Sequence, residues 1–169
     1  MTVTIRRASH DDVPVMQALE HDAAQAFRAV GYGFCADGPV RTVEEHERGL
    51  RDGATFIAEI GGDTAGFIMM WSVDGHAHIT EVSVAERFQK RGIGRALINA
   101  GEDWARAQGF SAVTLTTFRD VSWNAPFYSS LGYDAFSPGD DESDLLAIQI
   151  EEAGSGYAAK PRITMRKAL

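Results

Sequence analysis

Residues 81–95 read Glu81-Val-Ser-Val-Ala-Glu-Arg-Phe-Gln-Lys-Arg-Gly-Ile-Gly-Arg95. The stretch starts as a strand, in which Val82 and Val84 alternate with polar neighbours. It ends as a helix running from Gly92 to Gln108, with Ile93, Leu97, Ala100 and Trp104 on one stripe and Gly109 as the stop. Between the two lies a basic loop punctuated by glycine. A helix N-terminus carries unpaired backbone N–H groups and about half a positive charge, so phosphate binds there readily. Gly92 and Gly94 allow a ligand close to the main chain, and Lys90, Arg91 and Arg95 add cations to an otherwise acidic chain. Glycines alone would describe a plain strand-to-helix turn; the three interleaved cations point to phosphate. The dinucleotide fingerprint does not fit, because Leu97 stands where its third glycine belongs, and G-x-x-x-x-G-K-[ST] is absent.

Working outward, three strands lead into this loop. Thr55 to Ile60, Ala65 to Val73 and His76 to Val84 are separated by Gly61-Gly62-Asp63 and Asp74-Gly75, which are hairpin signals. That spells an antiparallel meander. Further upstream, Val3 and Ile5 mark a strand, and Ser9 with Asp12 resembles a capping box. Val13, Met16, Leu19, Ala23 and Phe27 follow at helical spacing. Gly31 to Pro39 reads as a loop rich in glycine and aromatics, and Thr42 with Glu45 opens a shorter helix ending near Gly53. Downstream, Ala112 to Thr117 is a strand, Asn124 to Leu131 a short helix and Tyr133 to Phe136 another strand. Asp140 to Asp144 reads as a solvated loop or helix start. Leu145 to Ala153 is read as helix, although Leu146, Ile148 and Ile150 alternate; Arg162 to Met165 closes the chain as a strand. The expectation is a single α/β domain of the α+β type over residues 1–169, its mixed sheet mostly antiparallel, with crossover helices late.

Composition sets the outer bounds. A chain of 169 residues and 18.4 kDa, 44% hydrophobic and 24% charged, fits one globular domain and excludes wholesale disorder. Net charge of −8 argues against a nucleic-acid partner, which would want a basic face. The single cysteine, Cys35, forms no internal disulfide and offers no zinc spacing, so a reducing cytosol fits. No apolar run approaches the ~18 residues of a membrane span. The opening residues lack the apolar stretch and cleavage site of a signal peptide, and the expected location is cytoplasmic.

The loop Gln89-Lys-Arg-Gly-Ile-Gly94 resembles the Q/R-x-x-G-x-G/A acetyl-CoA loop of the GNAT superfamily of N-acetyltransferases. Glu81-Val-Ser-Val84 is similar to that family's core strand, and Asn124-Ala-Pro-Phe-Tyr-Ser-Ser-Leu-Gly-Tyr133 to its second signature. Two departures are small: Tyr133 replaces a common Phe, and Ala-Glu-Arg follows Val84 in place of a turn that often holds proline. The resemblance implies acetyl-CoA as cosubstrate, no metal, and direct transfer to an amine-bearing small molecule or peptide through a tetrahedral intermediate. It implies that main-chain groups of Val82 and Val84 pair with the pantetheine arm, and that Gln89, Lys90, Arg91, Gly92, Ile93, Gly94 and Arg95 hold the pyrophosphate. Asn124 is implied at the pantetheine or thioester, and Tyr128 near the sulfur. A homodimer is compatible with the family.

The implied chemistry can be weighed residue by residue. An alkylamine of pKa ~10.4 is protonated at pH 7, and stripping that proton costs about 4–5 kcal/mol. A carboxylate near the cleft can take it, and Glu81 is the candidate base, on the strand face shared with Ser83. A thiolate leaves easily, so Tyr128 suffices as candidate acid. Phe27, Tyr32 and Phe34 are candidate acceptor-pocket residues, with simple packing as their alternative. His76 and His78 share a strand face but have no further ligand at metal spacing, and read as structural. The rival from another class is a non-catalytic acyl-CoA-binding or sensing domain.

Overall fold

Two type I′-like turns set the middle of the sheet. Gly61 and Gly62 have φ of 61° and 89°, and Asp74 and Gly75 have φ of 48° and 75°, the left-handed pair that matches strand twist in a two-residue hairpin. In the computed structural model, which describes residues 2–155 and 160–169, these turns join β2 (Ala54–Ile60), β3 (Asp63–Val73) and β4 (His76–Val84). The chain begins with β1 (Val3–Arg7), followed by α1 (Val13–Ala24), α2 (Gly33–Asp37) and α3 (Val43–Asp52). After β4 come α4 (Ile93–Ala107), β5 (Ala112–Phe118), α5 (Ala125–Ser129), β6 (Asp134–Phe136), α6 (Ser143–Gly154) and β7 (Arg162–Ala168).

The strands order as β1-β2-β3-β4-β5-β7-β6. β1 and β2 are antiparallel, as are β2 and β3, whereas β4 and β5 run parallel over Ala77–Ile79 and Val113–Leu115. A parallel neighbour requires a crossover, which α4 supplies. β7 then inserts between β5 and β6, antiparallel to both. This is the mixed, mostly antiparallel α/β sheet that the element order predicts. The insertion of β7 is an addition to that expectation, because strand order is set by long-range pairing.

The chain divides into two compact units, residues 1–71 with 80–104, and 72–79 with 105–169. In the first, Met16, Ile57, Phe67, Ile68, Met69, Ile93 and Leu97 are fully buried. Gly66 is needed there, since a Cβ on it would meet the Ser83 carbonyl oxygen at 2.5 Å. In the second, Leu115, Tyr133, Leu145 and Met165 form the core. The Asp74 carboxylate accepts from the main-chain N–H of Asp144 and Leu145 at 3.1 and 2.8 Å, capping α6 from the β3–β4 turn.

Both capping boxes form. Asp12 accepts from Ser9 N at 2.7 Å, and Thr42 and Glu45 exchange bonds of 2.7 and 3.2 Å. Residues 145–153 are helical, as read. Two expectations need correction. The first α-helix stops at Ala24, and Phe27 lies in a 3-10 segment, Gln25–Val30. The stretch read as loop from Gly31 to Pro39 contains α2, whose Ala36 is buried. The acidic run is loop and helix start, as read, with α6 opening at Ser143; within it Glu142, 12% exposed, pairs with Arg166 at 3.0 Å.

Candidate active site

β4 leads through a 3-10 turn, Glu86–Phe88, into the loop that opens α4. Gln89 folds back, its Nε2 donating to the Val84 carbonyl at 3.1 Å, so the loop's first side chain organises the end of the strand. Lys90 and Gly92 both take left-handed φ, 58° and 81°. A lysine in that region is uncommon, and the reversal it makes brings the chain into the first turn of α4, where Ala96 N donates to the Gly92 carbonyl at 3.0 Å. Lys90, Arg91, Gly92 and Arg95 are exposed; Gly94 is half-buried and Ile93 anchors the turn in the core. The Arg91 guanidinium lies 5.8 Å from the Phe88 ring centroid. A 15-residue helix thus begins at a main-chain reversal rimmed by cations, an arrangement that fits a pyrophosphate.

Glu81 stands on β4 just before this loop. Its side chain is 27% exposed, and Ser83 Oγ donates to its Oε1 at 2.9 Å, confirming the shared face. Arg41 Nη2 lies 3.6 Å from Glu81 Oε2 and donates to the Thr80 carbonyl at 2.7 Å. Desolvation raises the proton affinity of the Glu81 carboxyl above the ordinary carboxylate range. Arg41 opposes that, Glu20 adds to it, and the Ser83 bond and His46 oppose it more weakly. Burial wins, as expected for a carboxylate that shares its guanidinium with other partners.

Arg41, Glu20 and His46 were not singled out by sequence reasoning. His46 is completely buried on α3, with Nε2 2.9 Å from Glu20 Oε1 on α1. The signal was present in part: Glu20 follows Leu19 on the apolar side of α1, where a carboxylate demands a partner. Which partner it finds is a tertiary fact.

The acceptor candidates pack on one another. Tyr32 is 6% exposed, and its ring centroid lies 6.2 Å from Phe27 and 5.9 Å from Phe34. In the second unit, Asn124 sits at the start of α5, and its Oδ1 accepts from Thr117 Oγ1 at 2.6 Å, which directs the amide's N–H donors elsewhere. Tyr128 is half-buried, four residues on, its main-chain N–H donating to the Asn124 carbonyl at 3.0 Å. Its ring packs edge-on to Tyr133 at 5.7 Å. His78 is buried, with Nδ1 2.8 Å from Thr114 Oγ1, and so serves the fold. Among the described residues no His, Cys, Asp or Glu cluster could hold a metal, and no helix is long and apolar enough to cross a membrane.

The model of the acetyltransferase (GNAT) family matches residues 16–133, which takes in the aromatic cluster, the charge cluster, the loop, Asn124 and Tyr128. The chain belongs to the GNAT acetyltransferase family. Solved GNAT structures share its fold. PaiA N-acetyltransferase from Thermoplasma acidophilum, in complex with coenzyme A, superposes with a TM-score of 0.75 at 15% identity, covering 100% of both chains. Ribosomal-protein-S18-alanine N-acetyltransferase from Escherichia coli gives 0.71 at 17% identity, covering 99% of this chain and 94% of that one. N-acetylglutamate synthase from Neisseria gonorrhoeae, complexed with coenzyme A and N-acetyl-glutamate, gives 0.72 at 18% identity, covering 100% of this chain and 35% of that one. At such identities the likeness is one of fold. The names of the second and third differ in what is acetylated, ribosomal-protein-S18 alanine in one and glutamate in the other, so the GNAT fold alone does not dictate an acceptor.

Proposed function

We propose that this GNAT acetyltransferase, as one domain over residues 1–169, moves the acetyl group of acetyl-CoA directly to a primary amine. The observation that carries the reading is Glu81, a part-buried carboxylate of raised proton affinity at the end of the strand that runs into the loop at 89–95. Such a group suits the task of drawing a proton from an ammonium ion, directly or through one water, because its basicity moves toward the working pH. The acetyl donor supplies a thioester carbon for attack. Main-chain groups of Val82 and Val84 hold the pantetheine arm as an added strand would. The loop from Gln89 to Arg95 holds the pyrophosphate, and a main-chain N–H near Val82 stabilises the developing oxyanion. Asn124 positions the thioester through its amide N–H, and Tyr128 gives its hydroxyl proton to the departing sulfur. Phe27, Tyr32 and Phe34 offer the amine an aromatic wall.

The test is a calorimetric titration of acetyl-CoA into the wild-type protein and a Gly94→Asp variant. It is followed by thiol release with alkylamines, amino acids and a peptide amine. One-to-one binding lost in the variant, with amine-dependent thiol release, is the expected result. Absence of binding to the wild-type protein would make 89–95 a cationic turn and overturn the reading.

A further inference from the structure

We infer that Arg41 is a positioning residue for Glu81, and that a buried Glu20–His46 pair holds Arg41 in place. The inference rests on the reading of Glu81 as proton acceptor. Arg41 precedes α3 and is gripped by α1 at both of its main-chain groups. Its N–H donates to Glu20 Oε2 at 2.9 Å, and its carbonyl accepts from Gln17 Nε2 at 2.8 Å. So anchored, the side chain reaches β4, where Nη2 meets the Thr80 carbonyl and Glu81 Oε2. The two oxygens of Glu81 are therefore held from different elements, Oε1 by Ser83 on its own strand and Oε2 by Arg41 from outside it.

The cluster is polar beyond what packing requires. His46 is 0% exposed, and among the described residues neither of its ring nitrogens meets a partner in hydrogen-bond geometry, although Nε2 lies 2.9 Å from Glu20. Arg41 Nε is likewise buried and unmatched. Unmatched buried polar atoms cost free energy, but an apolar residue at 46 would take from the buried Glu20 carboxylate the ring nitrogen that lies 2.9 Å from it. The histidine is therefore tied to Glu20, the residue that holds the Arg41 main chain.

The titratable groups acting on Glu81 are Arg41 from the segment before α3, Glu20 from α1 and His46 from α3, while Glu45 lies 4.0 Å from Arg41 Nη1. β3, its neighbour in the sheet, presents buried apolar residues from Phe67 to Met70. Arg41 favours the Glu81 carboxylate, and Glu20 disfavours it. Removing each charge must therefore move Glu81 in opposite directions, an outcome that a merely structural role does not produce.

The experiment follows the side-chain carboxyl carbon of Glu81 by NMR against pH in the free protein, with the signal assigned by its loss in Glu81→Gln. Arg41→Gln is expected to raise the midpoint by about one pH unit, and Glu20→Gln to lower it by about half a unit. Arg41→Lys, which keeps the charge, is expected to stay near wild type. The acidic limb of kcat/KM in thiol release, with the best alkylamine of the panel, is expected to shift with the midpoint. Unchanged midpoints, or shifts in one direction, overturn the inference. Opposite midpoint shifts with an unmoved rate profile uphold it and overturn Glu81 as the base. Gln17→Leu, which frees the Arg41 carbonyl from α1 without changing any charge, is expected to raise the midpoint as Arg41 drifts; an unmoved midpoint there overturns the inference even if Arg41→Gln folds poorly.

Discussion

The loop at 89–95 and the charge cluster around Glu81 adjoin one another on β4, yet they are built in opposite ways. The loop is contiguous and works through its main chain, two left-handed φ values and the first turn of α4. The cluster is assembled from α1, the segment before α3, α3 itself and β4, and works through side chains. A main-chain site tolerates loss of a side chain but not of a backbone conformation. For a side-chain cluster the reverse holds. The two should therefore fail differently under mutation.

The largest effect is expected at Glu81. Glu81→Gln should lower kcat at neutral pH by about 10²–10⁴-fold, the usual contribution of a positioned proton acceptor, while KM for acetyl-CoA stays unchanged. Replacing Lys90 and Arg91 together by Gln should do the converse, raising KM for acetyl-CoA by up to about thirtyfold and leaving kcat alone. The two side chains are exposed, and screened charge contacts are worth only about 1 kcal/mol each. Steady-state kinetics in both substrates checks both. A Glu81 variant that weakens acetyl-CoA binding would erase the division between the two regions.

That division also explains what could be read from the sequence. Turn pairs such as Asp74-Gly75, the Thr42–Glu45 box and the glycines and cations at 90–95 declare themselves because each is satisfied within a few residues. Glu81 was legible too, through its place in a strand that ends at the loop. Arg41 and His46 were not, since each looks like an ordinary surface charge until α1 and α3 are laid against β4, and Glu20, though on the apolar side of α1, does not declare its partner. Helix α2 was missed for a related reason: glycine and proline mark 31–39 as loop, but burial of Tyr32 and Ala36 overrides local propensity. The place of β7 between β5 and β6 belongs to the same class, being decided by pairing between residues far apart in the chain.

A second carboxylate in the same unit sharpens the contrast. Asp12 accepts two bonds of 2.8 Å from the Arg6 guanidinium, and that pairing pulls its pKa down to about 2 against the desolvation that opposes it. Glu81, which shares its arginine, is pushed up. The signs follow from linkage. Asp12 binds its proton less tightly folded than unfolded, so its stabilisation, about 2 kcal/mol, is complete above pH ~4 and is lost as pH falls toward 2. Glu81 binds its proton more tightly folded, so its ionisation above the unfolded pKa counts against the fold. Denaturant unfolding at pH 7 and pH 3 should show the Asp12 part disappear in Asp12→Asn. An Asp12→Asn variant with the wild-type pH dependence would mean that the Arg6 pairing stabilises nothing.

The smallest effect concerns the residue that follows Arg41. Thr42 Oγ1 accepts from Glu45 N at 3.2 Å, and Glu45 Oε2 accepts from Thr42 N at 2.7 Å, so the first turn of α3 is closed on itself immediately after the positioning arginine. Thr42→Ala removes the hydroxyl acceptor and should cost about 1 kcal/mol, or about 3 °C in Tm for a chain of this size. Loop and cluster then part company once more. Acetyl-CoA affinity, set at 89–95, should not change, whereas loosening the start of α3 lets Arg41 drift from Glu81 Oε2, and the acidic limb of the rate profile should move upward by a few tenths of a pH unit. A loss of stability with no such movement would show that α1, through Glu20 and Gln17, holds Arg41 without help from the cap.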